Sequence, residues 1–288
     1  MTDTGAITNV SDTALWVACY RALETERPDA IFHDPYARRL AGERGFQILD
    51  RLPSGRKMSW PIVTRTAVMD EIILRSIKAD GIDTVLDLAA GLDARPWRLP
   101  LPPSLRWIDV DLPDMLDYKQ SVLAGERPVC IYEPVRVDLA DGFARRELFR
   151  MVGASAKRVL VITEGLLIYL QPEQVANLAR DLHDIPAMQF WLSDLASPRL
   201  LQMLEKNWAP SLRAGNAPLL FGPAEGTGFF LPLGWREVDF RSSFHEGLRL
   251  GRCLPFARFW LLLGTLAPRA RREAFKRFSG IVLFQRDA

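Results

Sequence analysis

Three acidic residues stand where short apolar runs end: Asp111 after LRWIDV, Asp138 after CIYEPVRV and Glu164 after RVLVIT. Carboxylates placed this way can accept hydrogen bonds from ligand hydroxyls or amines. A turn of small residues precedes them. The run TVLDL (84–88) passes into Ala89-Ala90-Gly91-Leu92-Asp93-Ala94-Arg95, and Asp111 follows Gly91 by twenty residues. In a doubly wound sheet, a small first turn lets a ligand approach the backbone. An acid at the end of the second strand then binds ribose hydroxyls. The spacing therefore points to a nucleoside-containing ligand. Asp109 and Asp111 face the same side of their strand. Asp111 lies nearer the strand end and is the ligand-facing candidate, with Asp109 the structural one.

Such groups meet only if a scaffold delivers the strand ends to one edge. The runs 84–88, 105–110, 130–137, 158–163 and 188–195 alternate with helical patterns. One such helix carries Val175, Leu178, Ala179 and Leu182 on a single stripe behind Pro172. Short buried strands separated by helices imply a parallel sheet covered on both faces. WREVDF (235–240) and GIVLFQ (280–285) add two more strands, placed at the sheet end as an antiparallel pair. Before residue 82 the chain reads as helical. Ser11 and Asp12 offer caps to a stripe of Leu15, Ala18, Cys19 and Ala22, and a helix runs from about Pro61 to Lys78.

Composition narrows the class. The chain has 288 residues, 48% hydrophobic and 25% charged, which excludes a disordered chain or a polytopic membrane protein. The formal charge of +2 leaves no global nucleic-acid footprint, so no nucleic-acid partner is expected. Residues from Arg241 onward carry a net charge of +7, and a basic tail can meet an anionic ligand or a membrane surface. Cys19, Cys130 and Cys253 are too scattered for a disulfide framework or a zinc site, so no metal is assigned. The longest apolar stretch, 256–268, is too short to span a bilayer. A reduced, cytoplasmic protein is expected.

The ordered set DPYARRLAG, TRTAVMDEII, LAAGLDARPWRL, WIDVDLPDMLDYK, VRVDLAD and TEGLLIYLQPEQV resembles the class I S-adenosylmethionine-dependent methyltransferases of the leucine carboxyl methyltransferase-like group. That resemblance implies an α/β fold, a doubly wound, mostly parallel seven-stranded Rossmann-like sheet with N-terminal helices and a lid insertion. The parts implied are a helical cap (1–80), a cofactor-binding core (81–196), a lid or substrate insert (197–232) and C-terminal strands with a basic helix (233–288), all in one domain. S-adenosyl-L-methionine is the implied cofactor. In that reading Gly91 and its turn, with Ala89, pass beneath the methionine part. Asp111, followed by Leu112, accepts the ribose hydroxyls. Asp138 bonds the adenine amino group and Leu139 lines the adenine slot. Glu164 faces the methionine amino group, Arg65 pairs with the methionine carboxylate, and Arg21 is a second basic group at that end.

The sequence also departs from that group. Ala89 stands where many relatives have glycine, and its methyl disfavours a positive φ. Ala94 replaces the third glycine of a dinucleotide turn. Both favour a methyl donor over the alternatives, an NAD(P)-dependent oxidoreductase or a catalytically retired binding protein. Methyl transfer is an in-line displacement that needs alignment above all. His33, His183 and His245 belong to no motif, so no general base is assigned, and Tyr169 is the one catalytic candidate. A small-molecule acceptor with a carboxyl or hydroxyl oxygen is expected. Trp208, Phe221, Phe229 and Phe230 are candidates for an apolar acceptor pocket, with core packing the competing role. Residues 256–278 are a candidate for membrane-surface contact.

Overall fold

The computed structural model describes residues 10–51, 55–214, 218–253 and 268–287. The side chain of Trp208 and the apolar run 256–267 lie outside the described set. Seven strands form one sheet: β1 (Thr84–Leu88), β2 (Arg106–Asp111), β3 (Ile131–Arg136), β4 (Val159–Thr163), β5 (Met188–Ala196), β6 (Trp235–Ser242) and β7 (Ser279–Arg286). Their order is β3-β2-β1-β4-β5-β7-β6. The first five are parallel, and β7 runs antiparallel to both β5 and β6. Strand order reverses between β1 and β4, which opens a crevice at their carboxyl ends.

The strands read as unbroken apolar runs because both faces are covered. Leu86, Leu88, Val159 and Val161 pack on one face with Trp191, Trp235 and Phe284. Val85, Leu160 and Ile162 pack on the other with Ile72, Ile73 and Trp107. Pro134 sits in β3, at the sheet edge, where a missing backbone donor is tolerated.

Ten helices flank the sheet among the described residues. They are α1 (Val10–Thr25), α2 (Ala37–Arg51), α3 (Trp60–Ala79), α4 (Arg95–Arg98), α5 (Pro113–Val122), α6 (Gly142–Ser155), α7 (Pro172–His183), α8 (Pro198–Ala214), α9 (Ser243–Arg249) and α10 (Arg269–Lys276). Asp12 lies inside α1 and pairs with Arg44 at 2.9 Å, so it is not the cap its position suggested. On α7 the expected stripe is buried, and Gln171 and Gln174 close a reciprocal capping box at its start. No described helix is long and apolar enough to cross a membrane.

Phe221 and Phe230 are buried and stack edge-on with Phe229, and Phe230 also packs on Trp191. The aromatic residues of the insert therefore build the main core, and of these three only Phe221 also reaches the cavity described below.

Candidate active site

The turn after β1 is tight enough to need positive φ at two positions, 54° at Ala89 and 50° at Gly91. Ala89 adopts the left-handed conformation in spite of its methyl group, which disfavours it without preventing it. Such a conformation costs an L-residue about 1–2 kcal/mol. The surrounding hydrogen bonds hold it there. The Gly91 N–H donates to Asp111 Oδ2 at 2.7 Å, and the Ala90 N–H donates to the Val110 carbonyl at 3.2 Å. A Cβ on Gly91 would lie 3.3 Å from that of Ala14 on α1, so the glycine lets the N-terminal helix close over the turn.

Asp111 ends β2 as expected. Its other oxygen accepts from the Leu112 N–H at 2.7 Å. Burial raises its pKa, and the two backbone donors oppose that shift. Asp109 instead points into the core, where it accepts from Lys119 at 2.5 Å, Trp107 at 3.0 Å and Tyr132 at 2.8 Å. Both members of the Lys119–Asp109 pair are fully buried.

A network of alternating charge fills the base of the crevice. Arg65 on α3 donates to Glu164 at 2.9 Å and to Asp194 of β5 at 3.1 Å. Arg95 of α4 reaches Glu164 at 2.8 Å, Asp93 at 2.5 Å and Asp70 at 2.6 Å. Arg98 grips Asp70 with both terminal nitrogens, at 2.6 and 2.8 Å. Arg21 of α1 donates to Asp34 at 2.8 Å and to the Leu92 carbonyl at 2.6 Å, bracing the turn from above. Burial would raise the Glu164 pKa, but Arg95 and Arg65 more than offset this and hold it below the usual range. Asp93 is likewise lowered, chiefly because Arg95 overcomes its burial. Asp87, buried at the end of β1, is pushed well above the carboxylate range by burial and by Asp93 and Asp109.

Most of these groups line one cavity of about 680 Å³, although Asp34, Asp70, Asp109 and Lys119 do not. Arg21, Arg65, Ala89, Gly91, Asp111, Leu112, Glu164 and Tyr169, all singled out in the sequence, meet there. Asp138 and Leu139 do not line it. Asp138 is exposed and accepts from the Ala140 N–H at 2.9 Å, while the half-buried Leu139 gives its carbonyl to Arg145 at 2.7 Å. Both follow β3 next to the end of β2, where the Val137 N–H donates to the Asp111 carbonyl at 3.1 Å. Tyr169 is hydrogen-bonded to Thr13, and burial raises its pKa.

Sequence reasoning missed Asp70, Arg95, Arg98 and Asp194. Only Asp194 carried a usable signal, as a fourth acid near the end of a core strand. None of the three histidines lines the cavity. His33 is exposed, the His183 ring packs edge-on against Trp235, and His245 contacts Ser242 at 3.1 Å.

Comparison with known proteins gives this arrangement a family. A relative from Mycobacteroides abscessus is 36% identical over 197 residues, covering 62% of this chain and 63% of that protein. One from Mycobacterium marinum is 30% identical over 226 residues, covering 69% and 73%. Both are named as S-adenosyl-L-methionine-dependent methyltransferases. The chain thus spans a little under two thirds of the first relative's length. A crystal structure of a protein from Thermobifida fusca, described as a methyltransferase, shares the fold with a TM-score of 0.60 at 15% identity, over 98% of this chain and 96% of that one. The model of one family, leucine carboxyl methyltransferase, matches residues 14–183. That match covers more than half of the chain, which belongs to the leucine carboxyl methyltransferase family.

Proposed function

We propose that the protein is an S-adenosylmethionine-dependent methyltransferase that methylates an oxygen of a small molecule. One observation carries the reading. A single cavity joins a glycine cradle and a strand-end carboxylate to a cluster that offers both a buried cation and buried anions.

The residues suit the methyl donor. Each Asp111 oxygen accepts only one backbone N–H and keeps lone pairs for ribose hydroxyls. Arg65 would take a carboxylate, and Glu164 with Asp194 an ammonium. Asp138 and Leu139 would meet the adenine from the neighbouring strand end. Arg21 and Leu112 would flank the two ends. The bound donor supplies a methyl group on a positively charged sulfur.

What remains for the chain is alignment and exclusion of water, which together can contribute most of such a rate enhancement. Tyr169 stays protonated at neutral pH, because burial raises its pKa. It can orient an acceptor but cannot serve as its base. With no histidine on the wall, the arrangement suits an acceptor that arrives ionised, a carboxylate, better than a hydroxyl that must lose a proton.

Calorimetric titration with S-adenosylmethionine and S-adenosylhomocysteine tests the reading. Saturable binding of both at one site is expected. A folded protein that binds neither would overturn it.

A further inference from the structure

The cavity has two unlike kinds of lining. Besides the charged network its lining includes the apolar side chains of Trp60, Ile62, Leu204, Leu219, Phe244 and Phe275, with Ser242, Ser243 and Ser279 as polar neighbours. Helix α10 carries one of these apolar side chains. Phe275 lines the cavity while 44% exposed, and its ring meets that of Phe244 edge-on at 4.9 Å. Residues three and four apart share a helix face, so Arg271 and Arg272 stand beside Phe275 one turn earlier. Both arginines are exposed, and neither forms an ion pair with a described acidic side chain. Their neighbours differ, since Lys276 is paired with Glu273 at 3.0 Å and Arg277 with Glu237 at 2.5 Å. The wall residue Phe275 therefore stands beside two exposed arginines on one helix, which outnumber its one described carboxylate, Glu273, whose pKa is lowered chiefly by Lys276 and further by Arg269 and Arg272.

A hydrocarbon body gains by leaving water on such a wall. An anion attached to it gains further from the rim arginines without having to be buried. A cation at the same place would be repelled. We infer that the acceptor is an amphiphilic anion, with an apolar body on this wall and, distal to its reacting oxygen, an anionic group held by Arg271 and Arg272. The inference rests on the methyltransferase reading of the same cavity. The anion belongs either to a free molecule or to a lipid headgroup.

Trp16 and Trp60 line the cavity, so tryptophan fluorescence can follow its filling. Titrations with decanoate and with 1-decanol, both below aggregation and with S-adenosylhomocysteine present, compare one body with and without the charge. Decanoate should bind about fivefold more tightly at low salt. The variant Arg271→Glu/Arg272→Glu should lose that preference. Co-sedimentation with phosphatidylglycerol but not phosphatidylcholine vesicles, abolished in the variant, would support a bilayer source. A decanoate preference without sedimentation would support a free one. Equal affinity for the two probes, or a preference that survives the charge reversal, overturns the inference. Calorimetry with S-adenosylhomocysteine on the same samples keeps two failures apart. Retained binding with no decanoate preference removes the rim assignment alone, and absent binding in the unmodified protein removes the methyltransferase reading itself.

Discussion

Arg65 on α3 and Glu164 beyond β4 lie 99 positions apart in sequence and 2.9 Å apart in space. The second oxygen of Glu164 is held by Arg95 at 2.8 Å, and the second contact of Arg65 is Asp194 at 3.1 Å. Each of the two thus has a reserve partner. In the proposed function, a ligand carboxylate can take over Arg65 while Arg95 keeps Glu164 in place. The pairing that would receive the two charges of an amino acid is already balanced without it.

The two arginines should accordingly fail in different ways. Arg65→Ala leaves Glu164 held by Arg95, so the fold should survive. Calorimetric affinity for S-adenosylhomocysteine should fall about 10- to 100-fold, as for loss of one charge-assisted contact. Arg95 is fully buried and serves Asp70, Asp93 and Glu164 together. Arg95→Ala should cost about 3–5 kcal/mol in denaturant unfolding, because it strands buried carboxylates. An Arg95→Ala protein as stable as the parent would contradict this role for Arg95.

Asp111→Ala should combine both kinds of effect. It removes the acceptor for the Gly91 and Leu112 N–H groups, which should lower stability by about 1–3 kcal/mol. It should also abolish measurable S-adenosylhomocysteine binding. Asp109→Ala sits two residues away but acts in the core, where it leaves the Lys119 ammonium buried and unpaired. Its expected signature is loss of folded protein, seen by circular dichroism.

Ala89 offers a gain rather than a loss. Its φ of 54° costs about 1–2 kcal/mol, and glycine relieves that while giving back about 0.5–1 kcal/mol in unfolded-chain entropy. Ala89→Gly should raise the melting temperature by about 1–3 °C. Gly91→Ala should lower it, since the added methyl meets both a positive φ and Ala14. A lower melting temperature for Ala89→Gly would mean that the turn is not strained.

Much of the scaffold was legible because its strands are buried on both faces. TVLDL is β1 to the residue, and the other six strands fall within one or two positions of their apolar runs. Periodicity also marked the α7 stripe, whose four residues are all buried. The acid at each strand end could be read because the sheet fixes where a strand end must go. Asp70, Arg95 and Arg98 could not be read. Their meaning lies in pairing between α3 and α4, and in isolation each looks like a solvated helix charge. Phe221, Phe229 and Phe230 could not be told apart for a related reason, since an aromatic run is the same in a pocket wall and in a core, and only Phe221 reaches the cavity. Ala89 shows a weak local preference overruled by a turn that four hydrogen-bonding groups hold in place.

Asp87 gives a prediction in which pH decides the sign. It is buried at the end of β1, and burial with Asp93 and Asp109 nearby raises its folded-state pKa well above the unfolded value of about 3.9. Below that value both states are protonated, and the group is neutral in its effect. Above it the unfolded chain releases the proton and the folded chain keeps it, so unfolding becomes more favourable as pH rises. The carboxyl therefore costs stability in the window from about pH 4 up to its raised folded pKa. Asp87→Asn keeps the shape of the protonated form and removes that titration. Urea unfolding at pH 4 and pH 7 should show little difference between variant and parent at the lower pH, and a more stable variant at the higher one. A stabilisation that is equal at both values would trace to packing, and a destabilisation that grows with pH would mean that Asp87 is ionised in the folded protein and paired with Arg95 or Lys119 instead.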